Sequence, residues 1–345
     1  MDRRPPARPR MSSRRVARHA SAVIAILVAL AAVWALKPVL LLLFSATLVA
    51  IILDGVARKL TNVLHLPHGL ALAIGALLIV ALIGGISLLF GRELVNQLNQ
   101  LIGLIPGGWH DLSERVGEQR LNGIAEKLAP SGSSIFSILQ GIVTFVANLL
   151  SALLLALLGG IFLATQPRTY RKGIRLVLPQ RWEDRADDVL GEIGGTLRAW
   201  LRGQLVSMVF VGVGIFAGLV IVGAPSPLAL AVIAALLGFV PVIGPLMAAA
   251  PGVLVGLTMG GDAIWQVILV YFIVQQIDGN LVNPMVMRHT VKIPPAVTMF
   301  SLFAIGAILG STGLLLGGPI TVLVVVLVRE LWIKGALGKT LDSSH

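Results

Sequence analysis

Gln275-Gln276-Ile277-Asp278-Gly279-Asn280-Leu281-Val282-Asn283-Pro284 gathers four side-chain amides and one carboxylate into ten residues. It directly follows the apolar run 263–274, and another long apolar run opens at Pro295. Asp278 therefore falls at or near the end of a membrane segment, where an acid is costly and its default reading is functional. Gly279 and Pro284 argue against a plain helix end. The plainer alternative is an interfacial loop whose amides face headgroups. The stretches on either side favour the functional reading.

Composition sets the class. Hydrophobic residues make up 56% and charged residues 12%, with a mean hydropathy of +0.91, outside the range of soluble domains. Several apolar runs approach or exceed the roughly 20 residues that cross a bilayer core. In lipid every backbone group needs an internal partner, so these runs are helices. The alternating strands of a membrane barrel are absent. With no cysteine, disulfides, thiolate metal sites and cysteine nucleophiles are excluded. The net charge of +11 sits in blocks beside apolar runs, the pattern of membrane orientation rather than nucleic-acid binding.

Working outward, residues 1–19 carry seven arginines, three prolines and one acid, and read as a disordered basic cytoplasmic arm. Residues 20–90 hold the first three spans: runs 21–36 and 39–53, separated by Lys37-Pro38, then 69–90 after the basic return at Asp54, Arg58 and Lys59. Segment 91–134 repeats apolar residues at helical spacing among polar ones, with four basic residues against five acids. It reads as an external amphipathic segment. A fourth span covers 135–165. Residues 166–204 form a basic cytoplasmic loop and an amphipathic helix that opens at Trp182, with acids in its first turns and Arg198 and Arg202 at its end. Residues 205–330 form the transport core, and 331–345 a cytoplasmic tail.

Two apolar blocks in the core are too long for single straight crossings. Block 228–259 would rise on the order of 45 Å against a core near 30 Å. It is interrupted at 238–245, where Pro241, Gly244 and Pro245 crowd together, and again at Pro251-Gly252. Block 295–328 is interrupted at 310–313, between Gly310 and Gly313, and at Gly317-Gly318-Pro319. Each predicts a broken helix or a re-entrant hairpin, and orientation counting lets the two point in opposite directions. Paired interrupted segments are the best sequence pointer to a transporter site. Gln275, Gln276, Asp278, Asn280 and Asn283, with Ser311 and Thr312 at the second break, are the candidate substrate- or ion-binding residues. Pro241, Gly244, Pro245, Pro284, Gly310, Gly313 and Pro319 are the candidate hinges. Close helix packing is the competing explanation for the small residues.

No catalytic constellation is present. The six histidines are scattered over tails and loops, none in an HExxH pattern, and no phosphate-cradling loop occurs. No enzyme, no metal site and no nucleic-acid partner is expected.

The stretch Phe239-Val240-Pro241-Val242-Ile243-Gly244-Pro245 with Pro251, the run from Gln276 to Pro284, Pro294-Pro295, and residues 306–318 ending at Pro319 together resemble the autoinducer-2 exporter family of bacterial permeases. Asp54-Gly55-Val56-Ala57-Arg58-Lys59-Leu60 and the helix 182–204 support it, and the resemblance covers nearly the whole chain. It implies an all-α membrane protein of about eight segments, both termini cytoplasmic, assembled as a homo-oligomer, a pentamer. It also implies export of a small molecule such as a quorum-sensing signal, and coupling to protons or sodium by antiport as in some relatives. The family often has tyrosine where this chain has Val242, and glutamate where it has Asp278. The expected function is thus a small-molecule exporter in a bacterial inner membrane, working by alternating access with H+ or Na+ as coupling ion and no other cofactor. An oligomeric channel and a non-transporting membrane scaffold are the alternatives.

Overall fold

The computed structural model describes residues 34–116, 152–166, 183–260, 262–286 and 293–336, together with residues 31, 32, 141, 169, 172, 173 and 176. The basic arm, segment 121–134, most of the 166–182 loop, the basic residues Arg288, His289 and Lys292, and the tail beyond 336 lie outside the described residues. Among those described there is helix and no strand.

Helix α1, Lys37–Leu64, starts with Pro38 in its first turn, where the missing N–H costs nothing. It stops at His65, whose backbone is left-handed at φ 54°, with Pro67 just beyond. Helix α2, His68–Val116, is 49 residues long, roughly 74 Å. The expected third span and the first part of the amphipathic segment are therefore one continuous rod. Its first turns pack Ala71 and Leu72 against Leu53 and Ala57 of α1. Helix α3, Ala152–Thr165, lies on α1 at two glycines: a Cβ on Gly160 would stand 2.6 Å from Val49 Cγ1.

Helix α4, Glu183–Val222, joins the expected amphipathic helix and fifth span without a break. Helices α5, Pro227–Leu237, and α6, Ile243–Thr258, form the first hairpin. Pro251 and Gly252, expected to interrupt the block again, lie inside α6. Helix α7, Ala263–Ile277, runs on through a π-helical turn, Asp278–Val282, and a last turn, Asn283–Val286. Helix α8, Pro295–Leu327, continues as a π-helix, Val328–Ala336. The stretches 37–64, 186–222 and 296–334 are each apolar and long enough to cross a bilayer by length and composition. Helices of this length and hydropathy are those of an integral membrane protein.

Helix α8 is itself a hairpin. Gly310 has φ 74° and ψ −159°, a region open essentially to glycine alone. A Cβ on Gly317 would lie 2.5 Å from Leu302 Cδ2, and one on Gly306 would lie 3.6 Å from Leu314 Cβ. In a straight helix residues 302 and 317 would be about 22 Å apart, so the chain folds back at Gly310. Gly317, Gly318 and Pro319, expected to form a second break, lie within the returning arm. There the glycines admit close neighbours: Leu302 against Gly317 and the Trp200 ring against Gly318.

The two hairpins are inserted from opposite ends of the bundle. At one end, Gln97 Oε1 of α2 accepts the backbone N–H groups of Leu228 and Ala229 (2.9 and 3.2 Å), and Ser226 Oγ donates to Gln100 Oε1. Gln97 thus supplies the N-terminus of α5 with the acceptor that its N-cap residue, Ser226, does not provide. The tip of the α8 hairpin reaches the same end, where Lys37 Nζ donates to the Ile308 carbonyl at 3.0 Å. At the far end, Asp54 of α1 receives Arg58 (2.9 Å) and Arg198 of α4 (3.0 Å), with His68 at 3.7 Å. Arg329 there pairs with Glu192 at 3.0 Å.

Candidate functional site

Helix α4 presents Trp200, Gln204, Ser207, Val211 and Ile215 to one cavity. Their spacings of four, three, four and four keep them on a single helical face. Facing them, α7 presents Tyr271, Gln275 and Asp278, spaced four and three. The two helices run antiparallel in a register fixed by small residues. A Cβ on Gly218 would collide with Val270, and one on Gly214 would stand 3.1 Å from Val274. Beside that seam, Gly252 and Gly256 of α6 receive the Tyr271 ring and Ile264. Two glycine pairs, each four apart, thus hold α7 close to α4 and α6, as small-residue pairs do in membrane bundles.

The same register sets the Ser207 hydroxyl 2.7 and 2.8 Å from the two carboxylate oxygens of Asp278. Asp278 is only 5% exposed, and no basic side chain pairs with it among the described residues. One hydroxyl proton serves both contacts when the carboxyl is ionised; a protonated carboxyl supplies the second. The pair therefore holds together in either protonation state without rearranging.

Asp278 also opens the π turn. Pro284 has no N–H to give and its ring crowds the carbonyl four residues back. The chain widens instead, with the Asn283 N–H donating to the Asp278 carbonyl. Such π turns recur at functional sites. Here the turn carries the helix through Gly279 and Pro284 rather than ending it, and brings Gly279, Asn283 and Pro284 to the cavity wall.

The break in the first hairpin forms the opposite wall. Gln204 Nε2 donates to the Gly238 carbonyl at 2.7 Å, and Phe239 meets Trp200 edge-on at 5.6 Å. Val242 has φ 67° and ψ −54°, and the Ile243 N–H reaches back to the Pro241 carbonyl at 2.7 Å. This is a γ-turn of the rare, strained hand, on a β-branched residue for which positive φ is an outlier. A Cβ on Gly244 would run into the Leu237 carbonyl oxygen, so no larger residue fits beneath the turn. The second hairpin adds Thr298, Gly318, Thr321 and Val322 to the wall. The cavity volume is about 1040 Å³, just above the usual span for small-molecule sites.

Among the sequence-predicted residues, the cavity brings together Gln275, Asp278 and Asn283 with Pro241, Pro245 and Pro284. Gln276 and Asn280 are exposed and do not line it. Ser311 and Thr312 are exposed at the tip of the α8 hairpin beside Gly310, away from Asp278. Gly313 lies where that hairpin begins its return, a Cβ there meeting Ile305 and Leu309, and Pro319 is buried in the returning arm. Sequence reasoning missed Gln204, Ser207, Tyr271, Thr298 and Thr321. A signal for two of them was present: Gln204 and Ser207 are polar and three apart at the mouth of an otherwise apolar span.

Residues 23–332 match the family described as AI-2E family transporter. Relatives include "Putative transport protein YrrI" of Bacillus subtilis, 29% identical over 46% of this chain and 45% of that protein. "Putative transport protein YueF" of the same organism is 33% identical over 42% and 39%. The chain thus matches less than half the length of these two. "Putative transport protein MT0215" of Mycobacterium tuberculosis is 26% identical over 82% of this chain and 79% of its own length. The family match takes in both hairpins, the π turn and every residue on the cavity wall, and the chain belongs to the AI-2E transporter family.

Proposed function

We propose that the protein is a secondary transporter that exports a small solute across a bacterial inner membrane, coupled to a proton or sodium gradient. The observation that carries this reading is the Asp278–Ser207 pair: a buried carboxylate, unpaired by any described cation, on a cavity walled by two oppositely inserted hairpins. An unpaired buried charge is costly, and a proton or a hard cation with oxygen ligands relieves it. Broken helices around a central site are the usual architecture of carriers. In this reading both hairpins are re-entrant and the ionic end of the bundle faces the cytoplasm with both termini. The cavity opens alternately as the hairpins and α7 move against α1–α3. The scaffold helices assemble copies of the chain into a homo-oligomer. The solute is an autoinducer-2-like signal or a comparable small molecule.

The test is flux in proteoliposomes under separate proton and sodium gradients, wild type against Asp278→Asn. Gradient-driven flux that saturates in the wild type and is lost in an intact, oligomeric variant supports the carrier. Equal coupled flux in both removes Asp278 from the mechanism. Large single-channel currents would replace the carrier with a channel.

A further inference from the structure

We propose that Ser207 selects the coupling ion: its hydroxyl occupies the chelating position between the two oxygens of Asp278, so that the carboxyl exchanges a proton and does not take a sodium ion. This rests on the transport reading and narrows its two gradients to one.

Ser207 Oγ lies 2.7 Å from Asp278 Oδ1 and 2.8 Å from Oδ2. Near-equal distances put it on the bisector of the carboxylate, where a cation held by both oxygens would sit. A cation takes that place only by displacing the hydroxyl, and the hydroxyl has little freedom to leave. Ser207 is 7% exposed, and further along the same seam Gly214 and Gly218 of α4 receive Val274 and Val270 of α7. A proton needs no space. It joins one oxygen and reverses the direction of one hydrogen bond, with Ser207 Oγ now the acceptor. Carriers that bind sodium in the membrane use carbonyls of unwound helix, whereas at Asp278 the helix widens without unwinding. The Val274 and Gln275 carbonyls accept the Asp278 N–H, and the Asp278 carbonyl accepts the Asn283 N–H. The turn that carries the acid keeps these carbonyls within the helix.

The surroundings leave the exchange to this one carboxyl. On the cavity wall α4 contributes Gln204 and Ser207 as its polar side chains, the second hairpin Thr298 and Thr321, and the first hairpin only glycine, proline and apolar residues. Among the described residues the wall holds no second acid and no lysine, arginine or histidine. Its one other ionisable side chain, Tyr271, stands about two turns back on α7, with its ring packed on Gly252.

The test is infrared difference spectroscopy of the full-length protein in proteoliposomes, acid minus alkaline, with Asp278→Asn identifying the C=O band of the protonated Asp278 carboxyl. Sodium chloride and choline chloride are compared at equal concentration, so that screening is the same. In the wild type the titration midpoint of the band is expected to be the same in both salts. In Ser207→Ala, where the chelating position is open, sodium should compete with the proton and lower the midpoint by about one pH unit, a tenfold loss of proton affinity. Ser207→Thr, which keeps the hydroxyl, should restore the indifference to sodium. A merely structural role for Ser207 would move the midpoint equally in both salts. The assignment is overturned if sodium lowers the midpoint in the wild type, if Ser207→Ala stays indifferent to sodium, or if no band titrates. The wild-type comparison tests the ion choice by itself, whether or not Ser207→Ala folds. A band that titrates as expected in a protein without gradient-driven flux would keep the ion choice and refute the transport reading instead.

Discussion

Replacing Gly317 by alanine tests whether α8 folds back at Gly310, on which the second hairpin depends. In a straight helix the added methyl would meet nothing near Leu302, and the exchange would stabilise the protein by about 1 kcal/mol through helix propensity. In the folded-back chain that methyl stands 2.5 Å from Leu302 Cδ2, while Leu302 Cγ and Cα, at 3.7 and 3.8 Å, are in ordinary contact. The conflict is thus confined to one terminal methyl. Leu302 is 1% exposed and has little room to turn aside, so overpacking costs about 1–3 kcal/mol. Set against the propensity gain, Gly317→Ala is expected to destabilise by roughly 0–2 kcal/mol. Leu302→Ala alone should cost about 2–5 kcal/mol, and in that background Gly317→Ala should turn stabilising. The coupling energy of the cycle is then about 1–3 kcal/mol, well beyond the additivity error of roughly 0.5 kcal/mol for distant sites. Unfolding of the four proteins in mixed micelles measures it. Stabilisation by Gly317→Ala in both backgrounds, with no coupling to Leu302, would refute the hairpin.

Gln97→Ala removes the acceptor shared by the Leu228 and Ala229 N–H groups and should lower stability by about 1 kcal/mol, the size of a lost N-cap; hydrogen exchange should quicken at 228–230 and not at 248–255. The chain has no cysteine, so Lys37→Cys with Ile308→Cys gives a clean cross-linking pair for the Lys37–Ile308 contact: a short bifunctional reagent should join them in high yield, and Lys37→Cys with Phe300→Cys, half a hairpin away, should not react.

Much of this arrangement could be read from residue types. An acid after an apolar run, paired prolines and glycines within eight residues, and a glycine-rich interruption of an overlong block each mark a cost that only a special structure offsets. Asp278 and both hairpins were legible for that reason. Its partner was not: Ser207 stands 71 residues earlier, and a single serine in a span is equally suited to packing a helix. Pro251 and Gly317-Gly318-Pro319 misled because neighbouring helices can satisfy a membrane helix around a proline. Their glycines answer to close neighbours, Tyr271, Leu302 and Trp200, which no local pattern reveals. Ser311 and Thr312 were assigned to the site by their position at a break, yet that break is a hairpin tip at the Lys37 end of the bundle. The depth of each tip depends on how far its arms insert, and composition does not encode that.

The unbroken length of α2 makes it a ruler. It starts at His68 beside Asp54 and, 29 residues on, delivers Gln97 to the start of α5, roughly 44 Å away along the axis. One residue inserted between them would advance Gln97 by about 1.5 Å and turn it about 100° off its target. Seven would nearly restore its direction and overshoot by about 10 Å. Neither repairs the contact, so changes of length before Gln97 are absorbed only outside the rod, as in the 65–67 connection. The first hairpin is in this way gauged from the opposite end of the molecule, through a helix that contributes no residue to the cavity wall.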